Sequence, residues 1–127
     1  MIGAFDHVLL AAPPRCEDAL RTYYTDVLGM VELPGPPALA VRGGCWFQAG
    51  AVQLHLAIES GFRPARKAHP GLRVGGIEAC AARLESRGAT VVRDGDLPGH
   101  RRFHSDDPVG NRLEFLEAVE GSAVGAP

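Results

Sequence analysis

Apolar and polar positions along this chain change period several times, and the changes mark out its elements. Met1 to Ala12 is mostly apolar, with Phe5, His7 and Leu9 on one side, and reads as a strand that Pro13-Pro14 ends. From Cys16 to Leu28 the apolar residues Ala19, Leu20, Tyr23, Tyr24, Val27 and Leu28 follow helical spacing. Glu17 and Asp18 suit the first turn of that helix, and Gly29 suits its C-terminal end. Met30 to Leu33 is a short strand, broken by Pro34-Gly-Pro-Pro37. Ala38 to Arg42 and Cys45 to Gln48 predict a hairpin about Gly43-Gly44, and Val52 to Ile58 the next strand. Glu59 to Lys67 is a polar joint. After it come a strand from His69 to Val74, a helix from Ile77 to Arg87, and strands at Thr90 to Arg93, Arg101 to Ser105 and Arg112 to Glu117. Asp107-Pro-Val-Gly-Asn111 between the last two is dense in turn formers.

The pattern repeats. Each half runs strand, helix, then three strands, with module 1 at about 3–58, module 2 at about 69–118, and 119–127 as a flexible tail. Setting Gln53-Leu-His-Leu56 against Arg112-Leu-Glu-Phe115 puts His55 on Glu114, while His7 and His69 each open a half. His7 and His55 are 48 positions apart, His69 and Glu114 45. Four metal-competent side chains thus occupy two equivalent positions in two half-chains. A unit of this kind cannot bury its sheet alone, so two must pair, within one chain or between chains.

Composition narrows the function classes. At 127 residues with 46% hydrophobic content the chain forms one folded domain. A net charge of −2 without a basic stripe argues against nucleic acid as the main partner. No basic-then-apolar leader and no membrane-length apolar run is visible, so the expected location is the cytoplasm, without a membrane partner. Cys16, Cys45 and Cys80 lack paired spacing and read as reduced thiols.

Neutral imidazoles with one carboxylate bind a divalent first-row ion and leave positions open for a substrate with neighbouring oxygens. Three His with one Glu would suit nickel, zinc or cobalt; two His with one Glu would suit iron or manganese. His55 fits as a ligand or as an acid–base group beside the metal. Arg102 and Arg112 carry the guanidinium fork that suits an anionic substrate group. His104 alternates with Arg102 on one strand, a surface position or a pocket wall, and His100 reads as a solvated loop residue. Trp46 is a further substrate-binding candidate, with core or interface as its alternative.

Phe5-Asp-His7, Tyr23-Tyr24, Val27-Leu-Gly-Met30, Gln53-Leu-His55, His69, Leu84 to Gly88 and Asp107-Pro-Val-Gly-Asn-Arg-Leu-Glu114 together resemble the vicinal oxygen chelate superfamily: glyoxalases, fosfomycin-resistance proteins, extradiol dioxygenases and bleomycin-binding proteins. The resemblance implies an α+β glyoxalase-like fold of two βαβββ modules with cup-shaped mixed sheets, in a homodimer. It places His7, His69 and Glu114 on the family's metal-ligand positions and His55 on the fourth, where glyoxalase I typically has a carboxylate. It implies one divalent ion (Ni, Zn, Mn, Co or Fe), a small oxygen-rich substrate, and lyase, isomerase or dioxygenase chemistry with His55 and Glu114 as catalytic groups. Two other roles within the same resemblance are a metal-free drug- or metabolite-binding protein and a fosfomycin-type thiol transferase, though the latter's potassium-binding loop is not found.

Overall fold

The computed structural model describes residues 1–93, 95 and 97–119, and the chain divides into two compact units, Met1–Pro64 and Ala65–Pro127. The class is mixed α+β, with one small mixed sheet in each unit.

In the first unit the sheet order is β1-β4-β3-β2, built from β1 (Val8–Ala12), β2 (Val31–Leu33), β3 (Cys45–Ala49) and β4 (Val52–Ile58). β1 lies parallel to β4, and the other pairings are antiparallel. The α1 helix (Glu17–Arg21) continues into a π-helical stretch, Thr22–Val27. Its inward residues Leu20 and Tyr24 are fully buried with Phe47, Leu54 and Leu56, and the Tyr24 ring stacks on Phe47 at 5.0 Å. Strand alternation then decides what the opposite face shows. With Phe47, Leu54 and Leu56 turned to the core, Trp46 and His55 point the other way, directly across from each other in the ladder.

The second unit repeats this with β5 (Gly71–Arg73), α3 (Ile77–Ser86), β6 (His100–Asp106) and β7 (Arg112–Ala118), in the sheet order β5-β7-β6. Phe103 and Phe115 stack at 5.1 Å beside Leu113, over Ile77, Ala81 and Leu84 of α3. Glu117 accepts hydrogen bonds from the Gly76 and Ile77 amides at the start of α3, and these bonds, led by the one from Gly76, hold its carboxyl below the usual range. Alternation turns Arg102, His104 and Glu114 to the face opposite the phenylalanines. The β6–β7 register is set by Asp107: its Oδ1 accepts from the Val109 and Asn111 amides at 3.0 and 2.8 Å, and Asn111 Nδ2 donates to its Oδ2.

Several expectations are corrected. The first strand spans only Val8–Ala12, because its ladder with β4 runs from Leu54 to Ile58 and leaves Val52 and Gln53 unpaired on that side; Phe5 is 90% exposed. Ala38 to Arg42 is not a hairpin arm but part of a helix, α2 (Pro37–Arg42), and β2 takes the place beside β3. Pro37 opens this helix at the position where a missing amide costs nothing, and Gly43, at φ 80°, closes it. Thr90 to Arg93 is reduced to a single bridge, Val92 to His104, with Val92 itself half exposed and gaining little burial. His100 is no solvated loop residue: it opens β6 and is 9% exposed. Of the expected tail, only Val119 falls within the described residues.

Candidate functional site

The ladder registers carry the internal repeat to individual side chains. On the central strand stand His55 in one unit and Glu114 in the other. The parallel neighbour pairs Leu9 with His55 and Gly71 with Glu114, so His7 and His69 each sit two residues before the pairing position. The antiparallel neighbour pairs Trp46 with His55 and His104 with Glu114. Each unit thus presents three side chains in the same relation, His7–His55–Trp46 and His69–Glu114–His104.

In the second unit the three donor atoms converge. His69 Nε2 lies 2.8 Å from Glu114 Oε1 and His104 Nε2 lies 3.8 Å from the same oxygen, with all three ligand atoms within 4.8 Å of one another. Arg102 Nη1 donates to Glu114 Oε2 at 3.3 Å, and Arg102 Nε donates to the Gly95 carbonyl. One carboxylate oxygen therefore faces two imidazoles and the other is held by a guanidinium. Burial pushes the Glu114 carboxyl up, but the hydrogen bonds from His69 and Arg102 and the nearby positive charge outweigh it, and the group is held below the usual carboxylate range. Glu114 is therefore ionised at neutral pH.

These residues fit a divalent ion. His69 Nδ1 donates to the Lys67 carbonyl at 2.6 Å, since a carbonyl only accepts. That bond fixes the ring so that Nε2 faces Glu114 and donates to its Oε1 in this structure. A metal ion between Nε2 and Oε1 would take the place of that proton. Backbone fixation of the remote ring nitrogen is the usual way a ligating histidine is oriented. Metal–ligand bonds of about 2.0–2.2 Å separate neighbouring ligand atoms by about 3–4 Å, so small side-chain rotations close the set.

In the first unit the three side chains stack. His55 is sandwiched between His7, at 4.1 Å and 11° between planes, and Trp46, at 4.0 Å and 6°. His7 Nδ1 donates to Asp6 Oδ1 at 2.9 Å and His55 Nε2 to Gln53 Oε1 at 3.0 Å. Burial lowers the pKa of His55, with the His7 charge adding to it and Asp6 opposing, so His55 is neutral at neutral pH. The stack borders a cavity of about 490 Å³.

Of the sequence candidates, the structure brings His69 and Glu114 together and adds Arg102 and His104 to them. His104, a surface or pocket position by sequence, is 7% exposed and faces the carboxylate. His7, His55 and Trp46 form the stack and not a convergent donor group. Arg112 shares a strand face with Glu114 but makes no ion pair with the cluster among the described residues. The carbonyls of Lys67 and Gly95, the amide of Gln53 and the carboxylate of Asp6 were not legible as site groups. His104 did leave a signal: a turn that sets Asp106 against Arg112 sets His104 against Glu114 two positions further out.

Comparison with known proteins agrees with this architecture. The family model for a glyoxalase-like domain matches residues 14–116. A glyoxalase family protein from Bacillus anthracis is 41% identical, with a TM-score of 0.89 over 94% of this chain and 98% of that one. An antibiotic-binding protein, TnmS3, from a Streptomyces species is 24% identical, with a TM-score of 0.68 over 93% and 100%. Lactoylglutathione lyase from Agrobacterium tumefaciens is 22% identical, with a TM-score of 0.71 over 91% and 94%. The latter two likenesses are of fold. No curated protein matches. No helix among the described residues is long and apolar enough to cross a membrane.

Proposed function

The chain belongs to the glyoxalase-like domain family of the vicinal oxygen chelate superfamily, and from that premise we propose that it is a divalent-metal-dependent enzyme acting on a small oxygen-rich molecule. The observation that carries the reading is the convergence of His69, His104 and Glu114 about one carboxylate oxygen. These three would hold the ion, which when bound would supply Lewis-acid polarisation of substrate oxygens.

The remaining roles fall to the protein's own groups. Arg102, fixed by the Gly95 carbonyl, keeps the Glu114 carboxylate ionised and orients it, and is the nearest cation for an anionic substrate group. His69 is held in one ring orientation by Lys67. His55, kept neutral by burial, is the proposed acid–base group, since a neutral imidazole can accept a proton at neutral pH. The resemblance adds His7 and His55 as ligands. Homodimer formation and a cytoplasmic location belong to the same proposal. Lyase or isomerase chemistry fits a redox-inert ion such as zinc, and dioxygenase chemistry fits iron. A metal-free binding role is the second reading, favoured by the aromatic stack beside the first unit's cavity.

The test is metal content of protein purified without chelator, compared among wild type and the His69→Ala, His104→Ala, Glu114→Ala and His7→Ala variants. The proposal expects near-stoichiometric metal in the wild type and loss in the first three; the His7 variant reads whether that residue ligates. No metal, and no tight uptake of nickel, zinc, manganese or anaerobic iron, would leave the binding protein as the better account.

A further inference from the structure

None of the six residues of α2 is buried, so something other than a packed face holds this helix in place. A helix of that length has no stability of its own. Val41 is 88% exposed, and Leu39 is the one residue of the helix that turns partly inward. Its seat is made of glycine. A Cβ at Gly35 would collide with Leu39 Cδ2, and a Cβ at Gly44 would stand 3.4 Å from Leu39 Cδ1.

Each connection of α2 contains one residue that turns freely. On the N-terminal side Pro34, Pro36 and Pro37 have fixed φ, which leaves Gly35 as the pivot. On the C-terminal side Gly43 stands at φ 80°, where glycine is favoured, and the next residue is fastened. The Gly44 amide donates to Glu17 Oε2 at 3.2 Å, and its α-carbon lies so close to the Leu56 carbonyl oxygen that no side chain fits. Gly43 is thus the last residue able to turn before the chain is locked to α1 and β4. A short segment between two single-residue pivots is the build of a hinged element.

Leu39 is also the wall between two hollows. With Arg42 and Gly43 it lines the cavity of about 490 Å³, and with Leu33, Pro36 and Ala40 it lines a second cavity of about 300 Å³ at the end of β2. Lifting α2 about Gly35 and Gly43 would withdraw Leu39 and join the two.

We propose that α2 is a hinged lid, pivoting at Gly35 and Gly43 and latched by Leu39, whose opening joins these two cavities. One partly buried leucine favours the closed form by roughly tenfold to thirtyfold, which puts the open form at about 3–10%. The device does not depend on the metal reading: all of its groups lie within Met1–Pro64, whereas the converging donors lie within Ala65–Pro127.

The experiment is native-state hydrogen exchange of the full chain, followed by nuclear magnetic resonance at increasing urea. The reporters in α2 are the amides of Leu39 and Gly43, which donate to the Pro36 and Leu39 carbonyls at 2.8 Å each. A helix this short loses its hydrogen bonds once lifted, so these amides read the opening. They should be protected by roughly tenfold to thirtyfold with little urea dependence, while Phe47 and Leu54 in the sheet exchange at least 100-fold more slowly with the full urea slope. Leu39→Ala should abolish the α2 protection without changing Phe47 and Leu54, and Leu39→Met should retain most of it. Gly35→Ala, which unseats the latch, should act like Leu39→Ala, and the double variant should be no worse than either. Trp46, the single tryptophan, lines the larger cavity, so acrylamide quenching of its emission reads access. Leu39→Ala should raise that quenching about twofold or more. Glu114→Ala should change none of these readouts. Exchange of the α2 amides together with the sheet, absence of α2 protection in the wild type, or α2 rates or Trp46 quenching that Leu39→Ala leaves unchanged overturns the proposal.

Discussion

Replacing Glu114 by Gln keeps the shape of the side chain and removes its charge, and the effect on the metal-free protein can be worked from the geometry. The carboxylate accepts from His69 at 2.8 Å and Arg102 at 3.3 Å, and these partners' side chains are 20% and 22% exposed. Hydrogen bonds to a charged group in such partial shelter contribute about 1.5–3 kcal/mol each before the cost of desolvating the carboxylate is subtracted. That cost is substantial at a side chain 10% exposed. The direction of the Glu114 pKa shows which effect wins: burial raises it, yet the net shift is downward, so the partners outweigh desolvation. An amide also puts a second donor against either His69 or Arg102. The expected loss on Glu114→Gln is roughly 1–3 kcal/mol. For a domain of this size that lowers the melting temperature by about 3–12 °C. The assay is urea unfolding at neutral pH with excess chelator, alongside Arg102→Met and the double variant, so that the coupling between the two groups is read directly. An unchanged or raised midpoint in Glu114→Gln would refute the reasoning, because it would make the buried carboxylate a net cost that its partners do not offset.

Other consequences test separate parts of the account. Glu117 has a depressed pKa because the Gly76 and Ile77 amides bind its ionised form; its contribution is therefore present above the ordinary carboxylate pKa and lost as pH falls through the depressed value. The melting-temperature gap between wild type and Glu117→Gln should be widest near pH 6–7, in the window where carboxylates of ordinary pKa, about 4.3, are fully ionised, and should close on acidification. Gly44→Ala would place a Cβ 2.3 Å from the Leu56 carbonyl oxygen at φ 111°, in a strand junction that has no room to move. We expect a loss of about 2–4 kcal/mol by urea unfolding, or failure to fold. The Cys45 thiol, pushed up to about 11 by burial, should resist iodoacetamide at pH 8 in the native protein and react at least 100-fold faster once urea unfolds the chain.

How much of this was legible in the sequence depends on which forces set each part. The βαβββ repeat was legible because strand alternation and helical spacing are local, and the equivalence of His7 with His69 and of His55 with Glu114 follows from two half-chains of nearly equal spacing. Val52–Ile58 is observed with the bounds its pattern predicts, since both its faces are specified: Leu54 and Leu56 inward, His55 outward. The Pro37–Arg42 helix was missed because its apolar residues are too few to show a period, and the punctuation of Pro37 and Gly43 decides instead. Thr90 to Arg93 has strand-forming residues but meets only one partner position, His104, and propensity without a ladder does not make a strand. His104 itself, beside an arginine on an alternating strand, carries the composition of a solvated face; only the hairpin register turns it towards Glu114. The stacking of His7, His55 and Trp46 was out of reach, because ring orientation depends on packing that no spacing encodes.

The most direct test of the metal site counts its imidazoles. Pulsed electron paramagnetic resonance of the copper(II)-loaded protein resolves the remote nitrogens of ligating histidines. The account predicts tight stoichiometric loading of the wild type, the loss of one imidazole signal in His69→Ala and of one in His104→Ala, and sharply weakened loading in Glu114→Ala. A His104→Ala variant with the wild-type nitrogen pattern and affinity, or a wild type that takes up copper only loosely and without histidine signals, would contradict it.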